Sequence, residues 1–203
     1  MRKGILLLLM CGALLSGCSG ESMVQDEGLP PEGAIYGMSA SQVEWTARSL
    51  PEEEILAAYD RAVQVYGWFV TNPLPDNGEV VSVDGVLYRR VNAGSLTGMD
   101  DLRAYLRSVF SRELAEELLE NGVGVQYRDI HDVLYVTGEG RSRDTTKGDA
   151  DIQIQQTGED AYSVNVTVEL LDSDGAAAGL ECWSFPYVFD EDRWVFSDFQ
   201  MIY

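Results

Sequence analysis

Apolar and polar positions alternate most cleanly near the end of the chain. Tyr162, Val164, Val166, Val168 and Leu170 are interleaved with Ser163, Asn165, Thr167 and Glu169. A period of two places the five apolar side chains on one face of a strand and the polar ones on the other. Upstream, Ile152 and Ile154 alternate with Gln153 and Gln155, and Thr157-Gly158-Glu159-Asp160 supplies a turn. Downstream, Asp172-Ser173-Asp174-Gly175 breaks the run. Two aromatic-rich segments, Leu180 to Phe189 and Arg193 to Ile202, then face each other across Asp190-Glu191-Asp192. The pattern predicts four hairpin-linked strands from Asp151 to Tyr203, an antiparallel meander with one apolar face that needs a cover.

Helical periods upstream can supply that cover. Ile55, Leu56, Tyr59, Ala62, Val63, Tyr66, Phe69 and Val70 recur every three or four residues, leaving Glu52, Asp60, Arg61 and Gln64 for water. This helix is expected to begin near Ser49-Leu50-Pro51, with Glu52, Glu53 and Glu54 at the positive end of its dipole. Thr71-Asn72-Pro73-Leu74-Pro75 ends it. A hairpin from Glu79 to Val91 pivots on Asp84-Gly85. A helical pair follows. Thr97 or Ser95 is the expected cap of the first, which carries Leu102, Tyr105, Leu106 and Phe110. Ser111 is the expected cap of the second, which carries Leu114, Leu118 and Leu119 and stops at Gly122. Arg103 and Arg107 lie four apart and are expected to engage neighbouring carboxylates. Val125 to Ile130 and Val133 to Thr137 form a further hairpin around His131-Asp132. The fold class that follows is α+β, with N-terminal helices packed on a curved, mainly antiparallel sheet.

Charge changes the picture. Against 14 Lys and Arg stand 34 Asp and Glu, a net charge of −20 over 203 residues. Such a surface repels nucleic acid and favours cationic proteins or cations as partners. Solubility alone accounts for most of those acids.

The amino end carries the most specific signal. Met1-Arg2-Lys3 is followed by an apolar run of eleven residues, Ile5 to Leu15, too short to span a bilayer. It ends in Leu15-Ser16-Gly17-Cys18, which resembles the lipobox of bacterial lipoproteins. That resemblance implies cleavage after Gly17, lipid on the Cys18 thiol, and a protein anchored to the outer side of a membrane in the cell envelope. The organisation expected is a signal peptide over 1–17, a lipidated tether over 18–48 rich in Ser, Gly, Pro and Glu, and one domain over 49–203. About twenty disordered tether residues would reach on the order of 25 Å. Cys11 leaves with the leader and Cys18 takes lipid, so Cys182 has no partner for an intrachain disulfide. Beside Trp183, it is expected to be a small buried hydrophobe.

Catalytic patterns are sparse, and no catalytic residue, metal or cofactor is expected. His131, the one histidine, could pair with Asp129 or Asp132 as a general base, yet it stands where a turn needs polar residues. No serine sits in a nucleophile elbow and no glycine-rich phosphate loop appears. Asp172 to Gly175 resembles the start of a calcium loop, but Ala176 to Ala178 offer no oxygen ligands, so it reads as a turn. The remaining candidate is the loop from Gly138 to Gly148. It gathers Arg141, Arg143, Asp144 and Lys147, and long polar loops on rigid sheets are common binding elements; a solvated loop whose cations offset local acids is an equal alternative.

The order helix, hairpin, helical pair and long antiparallel run resembles the cystatin-like cone of the nuclear-transport-factor-two superfamily. More narrowly, several stretches resemble the IseA-type family of secreted inhibitors of cell-wall DL-endopeptidases: Tyr66-Gly67-Trp68-Phe69, Val83 to Val91, Asp101 to Leu106, Phe110-Ser111, Tyr127-Arg128-Asp129, Leu134-Tyr135-Val136 and Trp194-Val195-Phe196. The likeness spans roughly residues 50 to 203. It implies a non-catalytic monomer that binds and blocks NlpC-type endopeptidases cutting peptidoglycan stem peptides. Two other readings stay open: a small-molecule or peptide-binding lipoprotein with a pocket between helix and sheet, and a cone-fold enzyme with an Asp acid/base of raised pKa.

Overall fold

A computed structural model of the chain describes residues 49–121, 126–138 and 140–203. The expected leader (1–17), Cys18, the tether (18–48), the Gly122 helix stop and Val125 lie outside the described residues. Among the described residues no helix is long and apolar enough to cross a membrane.

Helix α1, Glu52–Val70, starts just after Pro51 with three glutamates in its first turn. Ile55, Tyr59, Ala62 and Phe69 of the expected stripe are buried, and Val65 joins them. Glu52, Asp60, Arg61 and Gln64 face water. The hairpin of β1 (Asp76–Val83) and β2 (Val86–Val91) turns on Asp84 and Gly85, both at positive φ (53° and 82°). Positive φ at both central residues matches the right-handed twist of the flanking strands, which is why Asp-Gly suits this site.

Helix α2, Met99–Arg107, corrects the expected cap. Gly98 occupies the N-cap position, and neither Thr97 nor Ser95 does. Instead the Asp101 carboxylate reaches back one turn and accepts from the Gly98 N–H (3.1 Å), the Thr97 N–H (3.0 Å) and the Thr97 hydroxyl (2.7 Å). Helix α3, Arg112–Asn121, is capped by Ser111, whose Oγ accepts from the Leu114 N–H at 3.3 Å. Arg103 and Arg107 both grip Glu116, at 3.3 and 2.5 Å, and so clamp α2 to α3.

Strands β3 (Tyr127–Ile130) and β4 (Val133–Thr137) complete a first antiparallel sheet in the order β1-β2-β4-β3. The meander forms a second, of β5 (Lys147–Gly158), β6 (Ala161–Leu171), β7 (Ala177–Asp190) and β8 (Arg193–Phe196), in chain order. The described residues thus form an α+β fold of three helices and two four-stranded antiparallel sheets, consistent with a helix packed on a curved sheet. The strands divide because the chain after β4 does not turn back to pair; it runs across the end of α1 before β5 begins.

Tyr162, Val164, Val166 and Val168 are buried as the alternation requires, and Leu170, nearer the open end, is half-buried. Strand β8 is shorter than the expected Arg193 to Ile202. Past Phe196 the buried residues are Phe199 and Ile202, spaced by three, so the segment does not alternate. Phe199 turns in under α1, with its ring centroid 4.6 Å from that of Phe185 and 5.8 Å from those of Tyr59 and Phe110. Cys182 is also a correction: it is exposed. On β7 the buried Phe185 and Tyr187 are odd-numbered, so the alternation sends Cys182 to the outer face beside Thr167.

Helix α1 bridges the two sheets. Near its start, the Leu50 N–H donates to the Tyr162 hydroxyl on β6 (2.9 Å), and Tyr59 stacks on Phe185 of β7 (6.0 Å between centroids). Near its end, Phe69 meets Tyr127 of β3 edge to face at 5.1 Å.

Candidate functional site

The C-terminal end of α1 leaves carbonyls without intrahelical partners. Gly67 O takes the N–H groups of Thr71 and Asn72, at 2.9 and 2.8 Å. Val70 O takes the backbone N–H of Arg141, at 2.7 Å. The segment 140–143 is therefore a strap fastened across the helix end. Gly140 makes this possible: a Cβ there would stand 1.7 Å from the Thr71 carbonyl oxygen, so only glycine lets the two backbones come this close. On the other side, the buried Tyr127 hydroxyl accepts from the Leu74 N–H and donates to Trp68 O, both at 3.0 Å. That bridge holds the turn after α1 against the first sheet.

Between strap, helix end and chain end lies a cleft of about 870 Å³. One wall is the α1 face carrying Gln64 and Trp68; another is Asn72, Pro73 and Pro75; Arg141 and Arg143 come from the strap and Met201 and Tyr203 from the last residues. Gly67 keeps the floor open to Met201, whose Cε would lie 3.2 Å from a Cβ at that position. A second cavity of about 310 Å³ opens on the other side of the strap, against Phe69, Gln126 and Thr137, and shares Gly140 and Arg141.

Among the described residues, the charged side chains lining the large cleft are Arg141 and Arg143, both cations. Among the described residues, no carboxylate forms an ion pair with Arg141 or Arg143. The Arg143 guanidinium lies over the Tyr203 ring, 4.5 Å from its centroid. Both arginines are exposed. On a chain of net charge −20, this is a concave cationic spot.

The four residues proposed from sequence as partner contacts are split by the fold. Arg141 and Arg143 meet at the cleft. Asp144 turns inward on its own loop, where its Oδ1 accepts from the Thr146 hydroxyl (2.7 Å) and N–H (3.0 Å). Those bonds, the hydroxyl's foremost, hold its carboxyl below the usual range, helped by the charges of Lys147 and Arg141. Lys147 begins β5 and pairs with Glu181 of β7. Its side chain is 13% exposed, so it serves the sheet and not the cleft.

The other candidates sit in turns. His131 and Asp132 have positive φ (54° and 61°), and the Asp129 carboxylate accepts from the Asp132 N–H at 3.0 Å. Asp172 Oδ1 accepts from the N–H groups of Asp174 and Ala176, both at 2.9 Å. The carboxyls with displaced proton affinity among the described residues, Asp101, Glu116 and Asp144, all move down. Glu116 does so although burial pushes it up, because the bonds from Arg107 and Arg103 together outweigh that.

No protein-family model matches this chain, and no curated protein matches it. The IseA-type likeness therefore rests on the residue patterns quoted above.

Sequence reasoning missed Gln64, Trp68, Asn72, Met201 and Tyr203 as cleft walls. They come from three places, a helix, its closing turn and the end of the chain, which the pattern assigns to solvent face, core or punctuation. The one local signal was the paired prolines, Pro73 and Pro75, which mark a stiff exposed rim as well as a helix stop.

Proposed function

We propose that this chain is a lipid-anchored protein of the bacterial cell envelope that binds and inhibits NlpC-type DL-endopeptidases of the cell wall, acting by contact. The observation that carries this reading is the strap, which presents two guanidiniums with no ion-pair partner among the described residues at the mouth of a cleft on an acidic molecule. A net charge of −20 draws in a cationic hydrolase, and the arginines then fix register against its acidic groups. Leu15-Ser16-Gly17-Cys18 supports the location, and a tether reaching on the order of 25 Å holds the domain in the zone where wall hydrolases act. The domain works as a monomer without a cofactor.

The test adds the full chain, in detergent, to an NlpC-type endopeptidase digesting purified peptidoglycan. Stem-peptide release is expected to slow at low ionic strength and to recover toward about 0.5 M salt, where exposed charges are screened. R141A/R143A is expected to lose most of the inhibition. Undiminished hydrolysis at low salt under an excess of the chain would sink the reading. For location, Cys18→Ala is expected to move the protein from the membrane fraction to the soluble one.

A second reading is favoured by the cleft itself. Its volume falls in the range of about 300–1,000 Å³ typical of ligand sites, and polar groups converge on apolar walls. On that reading the protein is a peptide- or small-molecule-binding lipoprotein.

A further inference from the structure

We infer that the cleft beside α1 is a binding site for a short acidic peptide, one with at least two carboxylates, gripped by Arg141 and Arg143. This rests on the ligand-binding reading of the cleft and needs no endopeptidase. Charge is the first ground. Among the described residues, the charged side chains of the lining are both cations, and no carboxylate forms an ion pair with either. Elsewhere this chain pairs its arginines readily: Arg103 and Arg107 on Glu116, Arg112 on Glu191, Arg90 on Glu79. Guanidiniums left open in a concavity are matched by planar oxyanions that accept two parallel N–H bonds.

The walls select among anions. Gln64 and Asn72 offer amide side chains able to pair with peptide N–H and C=O groups, and Trp68, Met201 and the prolines offer apolar surface for side chains between the acids. Inorganic phosphate would leave most of an 870 Å³ cleft unfilled. An anionic bilayer presents a broad plane, whereas these arginines edge a recess. The site is also preorganised. The strap is bonded to Val70 O, and Arg143 is braced on Tyr203, so less freedom is lost on binding.

The experiment titrates the full chain in detergent with acetyl-Ala-Glu-Ala-Glu-amide and with its glutamine counterpart, reading heat and the Trp68 indole N–H resonance. The acidic peptide is expected to bind and to shift that resonance, and the neutral one to bind at least tenfold more weakly. Each of R141A and R143A is expected to cost about tenfold, as for one charge-assisted contact, and both to cost more. Both arginines are exposed, so the variants should fold, which circular dichroism checks. R141K and R143K, keeping charge without the fork, are expected to fall between. Equal binding of the two peptides, binding indifferent to both arginines, or capture only by phosphatidylglycerol vesicles would overturn the inference. Peptide binding without endopeptidase inhibition would leave it standing and remove the inhibitor reading; inhibition without peptide binding would do the reverse.

Discussion

The guanidinium of Arg143 lies 4.5 Å from the ring centroid of Tyr203, so the last residue of the chain braces a cation at the edge of the cleft. Exposed contacts of this kind contribute about 0.5–1 kcal/mol. Tyr203→Leu is therefore expected to lower unfolding stability by no more than about 1 kcal/mol. The acidic peptide should nonetheless bind severalfold more weakly, because the arginine loses its orientation. A calorimetric titration beside a urea melt separates the two effects. Unchanged affinity would mean that the ring does not position Arg143.

Gly140→Ala tests how the strap is held. A methyl group cannot stand 1.7 Å from the Thr71 carbonyl oxygen, so the backbones must part. The Arg141 N–H is expected to lose Val70 O, to exchange with solvent faster, and stability to fall by about 1–3 kcal/mol, the usual cost of overpacking. Hydrogen exchange at Arg141 reads the first effect. Protection equal to the parent protein's would show that the strap is anchored elsewhere.

Tyr127→Phe removes one oxygen and strands two buried groups, the Leu74 N–H and the Trp68 carbonyl. The expected loss is about 1–3 kcal/mol, measured by chemical denaturation. The Trp68 indole resonance should shift as well, since the turn beside it loosens. A loss near zero would mean that water replaces the hydroxyl.

Alkaline pH should unfold this protein through its tyrosines. Burial foremost raises Tyr59, Tyr66, Tyr127 and Tyr187 above the ordinary phenol value; Tyr203 and Asp60 add to it at Tyr59, and Glu117 and Asp198 at Tyr66. The unfolded chain releases those protons near about pH 10 while the folded one keeps them. Their contribution to stability is complete below that pH and declines as pH rises above it. Melting temperatures should fall steadily from about pH 10 upward, in step with tyrosinate absorption. A flat profile there would contradict the burial of these hydroxyls.

Phe196→Ala should be the most damaging of these substitutions. The ring lies 4.7 Å from Tyr187 and 5.3 Å from Phe199, and its backbone bonds Val109 O and the Ser111 N–H. A loss of about 3–5 kcal/mol is expected, because the cavity opens where the second sheet meets the link between α2 and α3. A smaller loss in a urea melt would mean that Phe199 moves in to fill the space.

Much of the fold was legible because it is written in local periods. The alternation from Tyr162 to Val168 names its own buried face, and Ser111 caps α3 as its position implies. Failures came where a residue answers to something distant in sequence. Cys182 was read by its chemistry and not by its parity with Phe185, and Thr97 gave up the cap to Asp101 reaching back across a turn. The end of β8 misled because Phe199 serves the aromatic cluster under α1. At the candidate site, Arg141, Arg143, Asp144 and Lys147 stand within seven residues and looked like one group. Partners remote along the chain separate them: Glu181 takes Lys147, Tyr203 takes Arg143, and Val70 takes the backbone of Arg141.

The sequence by itself determined where the main helices and strands lie, the buried face of the most regular of them, such as Tyr162 to Val168, and how strongly acidic the whole would be. Those properties depend on neighbours a few residues away and on sums over composition. Only the tertiary structure decided that the strands divide into two sheets, that a glycine lets the strap close over the end of α1, and that two arginines meet above a cleft with no ion-pair partner among the described residues. Each of these depends on atoms from segments up to more than a hundred residues apart, such as Trp68 and Tyr203, brought together by burial of the core. No local pattern encodes such a meeting, because its free energy belongs to the packed chain and not to any one stretch of it.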